Sequence, residues 1–285
     1  MGRYRKMLVA IDGTSESLHA LRESFKLASK EKSWITAVCV TPPYVGDLET
    51  VAVSGIKEAV EKPCVEALAA ASEVAKEEHL FLKTVHAQGE FHEMILDVAS
   101  EYNCELIVLG KSTKRRIERT LIGSVTARVI GYSPCDVLVV PPMAEIGWQR
   151  ILVATDGSKY SANAVDRAID FALSYGGSLT VISVVDVPVE FYGEAPGVVD
   201  DLIAKSHAIV DAAVAKAKAA GLSADGIVKQ GNAHEIILEV AGSINANTIA
   251  MASHGKTGLR RLLMGSVTEQ VVGFSPCPVL ITKGT

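Results

Sequence analysis

The stretch GSVTARVIGYSPCDVLVV, residues 123–140, returns as GSVTEQVVGFSPCPVLIT, residues 265–282. The two copies lie 142 residues apart, and the same distance separates QGEFHEMIL at Gln88 from QGNAHEIIL at Gln230. This period is far longer than that of a solenoid repeat. The repeat therefore predicts two copies of one domain in tandem.

The copies also agree at their beginnings. MLVAIDGTSES at Met7 matches ILVATDGSKYS at Ile151, which places Asp12 opposite Asp156. Two prolines and a glycine lie between the copies, as is typical of a short connection. We therefore expect domain 1 at residues 1–142, a linker at 143–149 and domain 2 at 150–285.

Each copy alternates apolar runs with helical patterns. The run Met7–Ile11 is apolar on both faces, which is typical of a buried parallel strand. Four further strands follow in domain 1 at residues 34–40, 82–86, 106–109 and 137–140, with helical segments between them. The pattern predicts an α/β fold in which each domain is an open five-stranded parallel sheet with helices on both faces.

The composition argues against several classes of partner. A net charge of −5 and an aromatic content of 5% disfavour nucleic acid as a partner. The N-terminus lacks the apolar run of a signal peptide, and no apolar run approaches the ~20 residues of a membrane span. Five cysteines without a CxxC pair predict reduced thiols, so we expect a cytoplasmic protein without a membrane partner.

Asp12 and Asp156 directly follow the first strand of each copy. Ligands of open parallel sheets bind beyond the carboxyl ends of the strands, where the strand order reverses. A carboxylate at this place can accept hydrogen bonds from a ribose hydroxyl or an adenine amine. Alternatively, each aspartate only starts a turn, and Thr14 or Ser158 caps the following helix.

The loop after the fourth strand of domain 2, ASHGKTGLRRLLMGS at residues 252–266, has the residue types that bind phosphate. Its glycines allow backbone N–H groups to approach phosphate oxygens, and Gly265-Ser266 opens a helix whose N-terminus favours an anion. Positive charge is added by Lys256, Arg260 and Arg261. Alternatively, Ser266 and Glu269 form a capping box, which does not exclude a phosphate nearby.

Two other patterns carry less weight. The segments that start at Gly110 and Gly255 are not Walker A loops, because Glu105 and Ala250 stand where that motif requires its first glycine. His92 and His234, one in each copy, lack the converging partners of a metal site in their local sequence, and His254 lies in the loop where it could contact a phosphate.

The loop, the Gly-Ser helix start and the Ser-Pro-Cys-x-Val-Leu ending resemble the universal stress protein family over nearly the whole chain. ATP-binding members of that family carry G-x2-G-x9-G-(S/T) after the fourth strand. Domain 2 matches this motif as Ala252-x2-Gly255-x9-Gly265-Ser266, and domain 1 matches it as Gly110-x2-Thr113-x9-Gly123-Ser124. Each copy has lost one glycine, and Thr113 costs about 1–2 kcal/mol if its position requires a positive φ.

The resemblance implies a Rossmann-like, adenine nucleotide alpha hydrolase-like fold and an ATP site, more firmly in domain 2. In domain 2, Asp156 would hold adenine or ribose, Val184 would meet adenine through its backbone, and the phosphates would be lined by Ala252, Gly255, Gly265 and Ser266. The counterparts in domain 1 are Asp12, Val40, Gly110, Thr113, Gly123 and Ser124. A Mg²⁺ ion would accompany the triphosphate.

Three functions agree with these residues. The leading hypothesis is a nucleotide-dependent stress-response module, and the alternatives are a nucleotide-free dimerising scaffold and a slow ATPase. The chain has neither the HxGH nor the SGGxDS signature of nucleotidyl-transferring enzymes of related fold. The resemblance also implies pairing of the two domains within the chain through strands 137–140 and 279–282, and a homodimer of chains. The downstream protein partner is not indicated.

Overall fold

The computed structural model describes residues 4–43, 56–112, 122–188, 190–255 and 264–283. The chain divides into two compact units, Met1–Met143 and Ala144–Thr285, which we call domain 1 and domain 2. No helix among the residues described is long and apolar enough to cross a bilayer.

Strands and helices alternate along domain 1. The elements are β1 (Lys6–Ala10), α1 (Ser15–Glu31), β2 (Trp34–Thr41), α2 (Ile56–Glu77), β3 (Leu82–Gln88), α3 (Phe91–Glu101), β4 (Leu106–Gly110), α4 (Ser124–Tyr132) and β5 (Asp136–Val140). The predicted strands are confirmed, and their bounds differ from the prediction by one or two residues.

Domain 2 repeats this order, and its described residues include one further short helix. Its elements are β6 (Arg150–Ala154), α5 (Lys159–Tyr175), β7 (Ser178–Val185), α6 (Glu190–Glu194), α7 (Pro196–Ala219), β8 (Ser223–Gln230), α8 (Ala233–Ser243), β9 (Thr248–Ala252), α9 (Ser266–Phe274) and β10 (Val279–Thr282). The short helix α6 lies between β7 and the long helix α7.

The sheet of each domain is parallel, as predicted. Its strand order is β3-β2-β1-β4-β5 in domain 1 and β8-β7-β6-β9-β10 in domain 2. In domain 1, β2 and β3 are added on one side of β1, and β4 and β5 are then added on its other side. Helix α1 contacts α2 while α3 contacts α4, and right-handed crossovers place these two pairs on opposite faces of the sheet.

The central strands form the core of each domain. Met7, Leu8 and Val9 of β1 are fully buried, as are the corresponding residues Leu152 and Val153 of β6. Burial on both faces of a strand requires covering layers on both sides, which the crossover helices provide. The carboxyl ends of β1 and β4, and of β6 and β9, consequently lie side by side at the point where strand order reverses.

The structure corrects the prediction of reduced thiols for one pair of cysteines. Cys39 of β2 and Cys64 of α2 form a disulfide, with their Cα atoms 5.6 Å apart. The sequence pattern does not reveal this pair because 25 residues separate the two cysteines, and only the return of α2 onto β2 brings them together. The other three cysteines, Cys104, Cys135 and Cys277, form no disulfide.

Candidate functional site at the switch point

The predicted aspartates lie at the switch point of each sheet, directly beyond β1 and β6. Asp12 Oδ1 accepts hydrogen bonds from the Thr14 backbone N–H, at 3.0 Å, and from the Thr14 hydroxyl. In domain 2, Asp156 Oδ1 accepts from the Ser158 N–H at 2.9 Å. The turn interpretation is therefore confirmed: one carboxylate oxygen of each aspartate organises the turn into the next helix.

Each turn is completed by a glycine and a capping hydroxyl. Gly13 and Gly157 have φ values of +77° and +76°, in the left-handed region that glycine occupies without strain. The side chain of Thr14 caps α1, and that of Ser158 caps α5. These local bonds fix the aspartate at the strand end and hold one oxygen of its carboxylate in the turn.

Val40 and Val184 lie in the neighbouring strand, next to the space beyond the aspartate. The Val38 carbonyl accepts from the Ile11 N–H, and the Ile182 carbonyl accepts from the Thr155 N–H. Residues two apart in a parallel strand direct their backbone groups to the same side. The N–H and C=O groups of Val40 and Val184 therefore face past the ends of β1 and β6, the direction required for pairing with a base edge.

The loop after β9 leaves the strand end and returns to it. Described residues 252–255 start the loop, and Gly265 ends it with an N–H bond to the Ser253 carbonyl at 2.9 Å. The Thr268 hydroxyl donates to the Ala252 carbonyl at 3.0 Å. These two bonds hold the beginning of α9 against the carboxyl end of β9.

The helices that follow the fourth strand of each domain, α4 and α9, begin at glycines rather than at residues with capping side chains. Gly265 is the N-cap of α9 and Gly123 is the N-cap of α4, and within the described chain neither helix has a side-chain cap bond. The capping-box interpretation is therefore wrong, since Ser266 is the first residue inside the helix. The first-turn N–H groups and the helix dipole make this end of α9 favourable for an anion.

The two loop glycines, Gly255 and Gly265, differ in the space available for a side chain. A Cβ on Gly255 would lie 2.6 Å from Asp156 Oδ2, so the loop backbone passes directly over the aspartate. A Cβ on Gly265 would meet only ordinary contacts, the nearest being the Ser253 carbonyl oxygen at 3.5 Å, and φ there is −68°. Among the described residues, neither packing nor backbone geometry therefore requires glycine at position 265.

The glycine lost from domain 2 has a structural explanation. In domain 1, a Cβ on Gly110 would lie 2.6 Å from the backbone carbonyl oxygen of Glu16 in α1. Domain 2 has Ala252 at this position, buried to 7% exposure. Gly110 therefore serves the packing of helix against strand in domain 1, whereas domain 2 accommodates the Ala252 side chain at this position.

Several predicted residues lie outside the described part of the chain. These are Thr113 of domain 1 and the basic residues Lys256, Arg260 and Arg261 of domain 2. The described residues that the structure brings together at the switch point are Asp156, Val184, Ala252, Gly255, Gly265 and Ser266 in domain 2, and Asp12, Val40, Gly110, Gly123 and Ser124 in domain 1.

The histidines have local partners. His92 faces the ring of Tyr132, and His234 faces the ring of Phe274, each with centroids 6.1 Å apart. His254 Nδ1 lies 3.2 Å from the Ser253 hydroxyl at the start of the loop. Among the described residues, no group of three or more His, Cys, Asp or Glu side chains could hold a metal ion.

Thr268 is a site residue that the sequence interpretation missed. Its bond to the Ala252 carbonyl and its burial, at 4% exposure, make it the anchor of the α9 N-terminus. The signal was present in the repeat, because a threonine follows the Gly-Ser pair at the same position in both copies, as Thr126 and Thr268.

Comparison with known proteins agrees with this architecture. A model of the universal stress protein family matches residues 3–141 and again residues 147–283. The chain belongs to the universal stress protein family. The family match is thus duplicated, once for each copy of the repeat.

Individual relatives from this family match one or both domains. The universal stress protein MJ0531 of Methanocaldococcus jannaschii is 34% identical over 141 residues, or 48% of this chain and 82% of that protein. The universal stress protein YxiE of Bacillus subtilis is 30% identical over 150 residues, or 48% of this chain and 99% of that protein. The crystal structure of a universal stress protein from Archaeoglobus fulgidus covers 98% of this chain and 96% of its own, with a TM-score of 0.73 and 21% identity, which shows a shared fold.

Proposed function

We propose that domain 2 of this universal stress protein binds ATP at its switch point and acts as a nucleotide-dependent stress-response or signalling module. The observation that carries the proposal is the closed arrangement around Asp156. The backbone of Gly255 passes over the carboxylate. The hydrogen bond from the Gly265 N–H to the Ser253 carbonyl brings the start of α9, which has no side-chain cap, to the same edge of the sheet.

Each part of ATP has a complementary group in this arrangement. The adenine edge pairs with the backbone of Val184, whose N–H and C=O groups face past the end of β6. Asp156 accepts from the ribose hydroxyls, and the phosphates lie over Gly255 and Gly265 against the N–H groups at the start of α9, near Ser266. A helix N-terminus without a capping side chain supplies backbone donors and a favourable dipole for this charge.

The glycine at position 265 supports this assignment. The φ of Gly265 is −68°, and no described atom lies closer than 3.5 Å to its Cβ position, so the described part of the fold has no steric need for glycine there. A phosphate oxygen within hydrogen-bond distance of the helix N–H groups would create that need, since a side chain would occupy the space. The Mg²⁺ ion would arrive with the triphosphate, and no protein ligand is assigned to it.

Domain 1 has the corresponding residues Asp12, Val40, Gly110, Gly123 and Ser124 at the equivalent strand and helix ends, and we include it as a second, weaker site. Gly123 has no described atom within 4 Å of its Cβ position and a φ of −60°. Among the described residues, nothing therefore requires glycine at this position. At the middle glycine of the motif the domains differ, since domain 1 has Thr113 where domain 2 has Gly255.

Release of bound nucleotide tests the proposal. The protein is purified without added nucleotide, denatured, and its adenine nucleotide per chain measured by chromatography, for the wild type, Gly265→Glu and Gly123→Glu. Each variant puts a carboxylate where phosphate would lie. Gly242→Glu adds the same charge in α8, where no described atom lies within 4 Å of the Cβ position, and serves as the control.

We expect one nucleotide per chain, lost in Gly265→Glu and retained in Gly242→Glu. Two per chain, with one lost in each switch-point variant, would establish the domain 1 site as well. If no nucleotide is released and none binds at millimolar ATP and Mg²⁺, the nucleotide-free scaffold replaces this proposal. Sustained phosphate release during long incubation would instead support the slow ATPase.

Assembly and location stay proposals from the family resemblance. We propose a cytoplasmic protein that forms a homodimer of chains. Light scattering at micromolar concentration tests the dimer, and a purely monomeric mass would contradict it.

A further inference from the structure

The Cys39–Cys64 pair joins the strand that carries a predicted site residue to the helix that covers the site. Cys39 directly precedes Val40, whose backbone faces the switch point of domain 1. Cys64 lies in α2, and both cysteines are buried at 4% exposure. The bond therefore fixes α2 to the sheet directly beside the nucleotide position.

Helix α2 also covers the aspartate turn. A Cβ on Gly13 would lie 3.4 Å from the Cβ of Ala67, which is one helical turn after Cys64. Gly13 follows Asp12, whose carboxylate organises that turn through Thr14. Looser packing of α2 against the sheet would thus affect both the turn that holds Asp12 and the strand that carries Val40.

Domain 2 has serines at both positions. Cys39 directly follows Val38, and Ser183 directly follows Ile182. The carbonyl groups of Val38 and Ile182 accept the equivalent hydrogen bond from the residue that ends the central strand of each domain, so Cys39 and Ser183 occupy corresponding positions. Cys64 precedes Ala67 by three residues, and Ser206 precedes Ile209 by three. Ala67 and Ile209 are the side chains that face Gly13 and Gly157. The same scaffold therefore accepts serine at both places, and the sulfur pair is specific to domain 1.

A proline makes α2 easier to open at the disulfide. Pro63 lies inside α2, immediately before Cys64. Proline has no N–H to donate, so the helix loses a hydrogen bond to the preceding turn at this point. Local opening of the turn before Cys64 costs less than in an uninterrupted helix, which gives a small molecule a route to a buried sulfur. Domain 2 has Lys205 at the corresponding position.

We infer that Cys39 and Cys64 form a reversible thiol–disulfide switch, set by low-molecular-weight disulfides and thiols, that controls the docking of α2 over the domain 1 site. The effect on nucleotide rests on the proposed function of that site. The switch acts on domain 1 alone, so oxidation makes the two domains of one chain differ in nucleotide retention.

The chemistry is two successive thiol–disulfide exchanges. The Cys64 thiol, after losing its proton, attacks a disulfide RSSR, forms a Cys64–SR mixed disulfide and releases one thiolate. The deprotonated sulfur of Cys39 then attacks the Cys64 sulfur and releases the second thiolate. Two cysteine thiols are oxidised, one RSSR is reduced to two RSH, and the two cysteine protons end on the released thiols. An excess of RSH reverses both steps.

The first experiment measures the switch without nucleotide. The full-length protein is equilibrated in glutathione buffers of different oxidised-to-reduced ratio, quenched in acid and alkylated, and its free thiols are counted by mass spectrometry. Hydrogen exchange is followed in peptides from α2. We expect the pair to interconvert, and amide exchange in α2 to be at least about tenfold slower in the oxidised protein.

The double variant Cys39→Ser/Cys64→Ser is the matched control, because it installs the residues of domain 2. It should exchange like the reduced protein in every buffer, whereas Cys104→Ser should respond like the wild type. A pair that never interconverts, or equal α2 exchange in both redox states, would overturn the inference.

The second experiment measures nucleotide in domain 1 alone, in a Gly265→Glu background that blocks domain 2. A fluorescent ATP analogue should bind the oxidised form about tenfold more tightly than the reduced form or the double serine variant. Equal binding to both forms would remove the coupling to the site. If neither form binds while α2 exchange still changes, the switch stands and the domain 1 part of the proposed function fails.

Discussion

The carboxylate of Asp156 and the backbone of Gly255 lie in close contact in domain 2: a Cβ built on Gly255 would stand 2.6 Å from Asp156 Oδ2. The two residues follow different strands, β6 and β9, which are neighbours in the sheet. This contact brings Asp156 and the loop after β9 together at one edge of the sheet, as the proposed ATP site requires.

Substitution of Gly255 by alanine should move Asp156 and the loop apart. The added methyl group forces Asp156 or the loop to move, so we expect Gly255→Ala to weaken ATP binding to domain 2 by about tenfold or more. Titration with a fluorescent ATP analogue measures this change. Gly242→Ala is the control, since its Cβ meets no described atom within 4 Å, and unchanged affinity in both variants would contradict the assigned site.

Gly265→Ala should weaken ATP binding much more than it lowers the stability of domain 2. Because φ is −68° and the nearest described atom to the new Cβ lies at 3.5 Å, the free energy of unfolding should fall by no more than the roughly 1 kcal/mol that alanine costs at an N-cap. The affinity for ATP should nevertheless fall about tenfold, because the methyl group enters the phosphate space. Calorimetric unfolding and ATP titration of the same sample test this, and a stable variant with full affinity would remove Gly265 from the site.

The paired exchange Gly110→Ala and Ala252→Gly tests why the two copies lost different glycines. We expect Gly110→Ala to destabilise domain 1 by about 1–3 kcal/mol, because the new methyl group meets the Glu16 carbonyl of α1. Ala252→Gly introduces no clash and should cost about 1 kcal/mol or less. Urea unfolding measures both variants, and equal costs would show that α1 and α5 pack at the same distance from their strands.

The two tryptophans should differ sharply in their contribution to stability. Trp148 is 2% exposed and stacks on Phe171 with ring centroids 4.1 Å apart, whereas Trp34 is 64% exposed. Trp148→Ala should destabilise domain 2 by about 3–5 kcal/mol, and Trp34→Ala should cost less than about 1 kcal/mol. Thermal unfolding followed by circular dichroism tests this difference, which a similar loss in both variants would contradict.

Cys104 should make domain 1 sensitive to alkaline pH. Burial raises the pKa of its thiol to about 11, and the nearby Cys135 adds to the rise. The folded domain therefore holds this proton more tightly than the unfolded chain, so the stability contribution is complete below about pH 9 and is lost as the pH rises toward 11.

The expected loss is about 2–3 kcal/mol when both states are fully deprotonated. Urea unfolding of wild type and Cys104→Ala at pH 8 and at pH 10.5 isolates the effect. The variant should be destabilised relative to wild type by a smaller amount at the higher pH. An identical difference at both pH values would show that the thiol titrates alike in the folded and unfolded states.

The sequence alone determined the fold and predicted which residues form the candidate site. The 142-residue repeat shows the duplication, because both copies keep the same pattern of apolar runs and turn residues. Those runs are local features, and a strand apolar on both faces has few arrangements other than a parallel sheet covered by helices. The aspartates and glycines could be assigned to one edge because parallel strands end at a common edge.

The tertiary structure alone decided which of those residues touch. The contact of Asp156 with Gly255, the clash that keeps Gly110 a glycine, the Thr268 bond to Ala252 and the Cys39–Cys64 disulfide all join elements distant in sequence. Such contacts depend on how closely each helix packs on its strand, which differs between the copies despite their common pattern. Local periodicity specifies the elements, but the distances between packed elements are set by the side chains of the whole core.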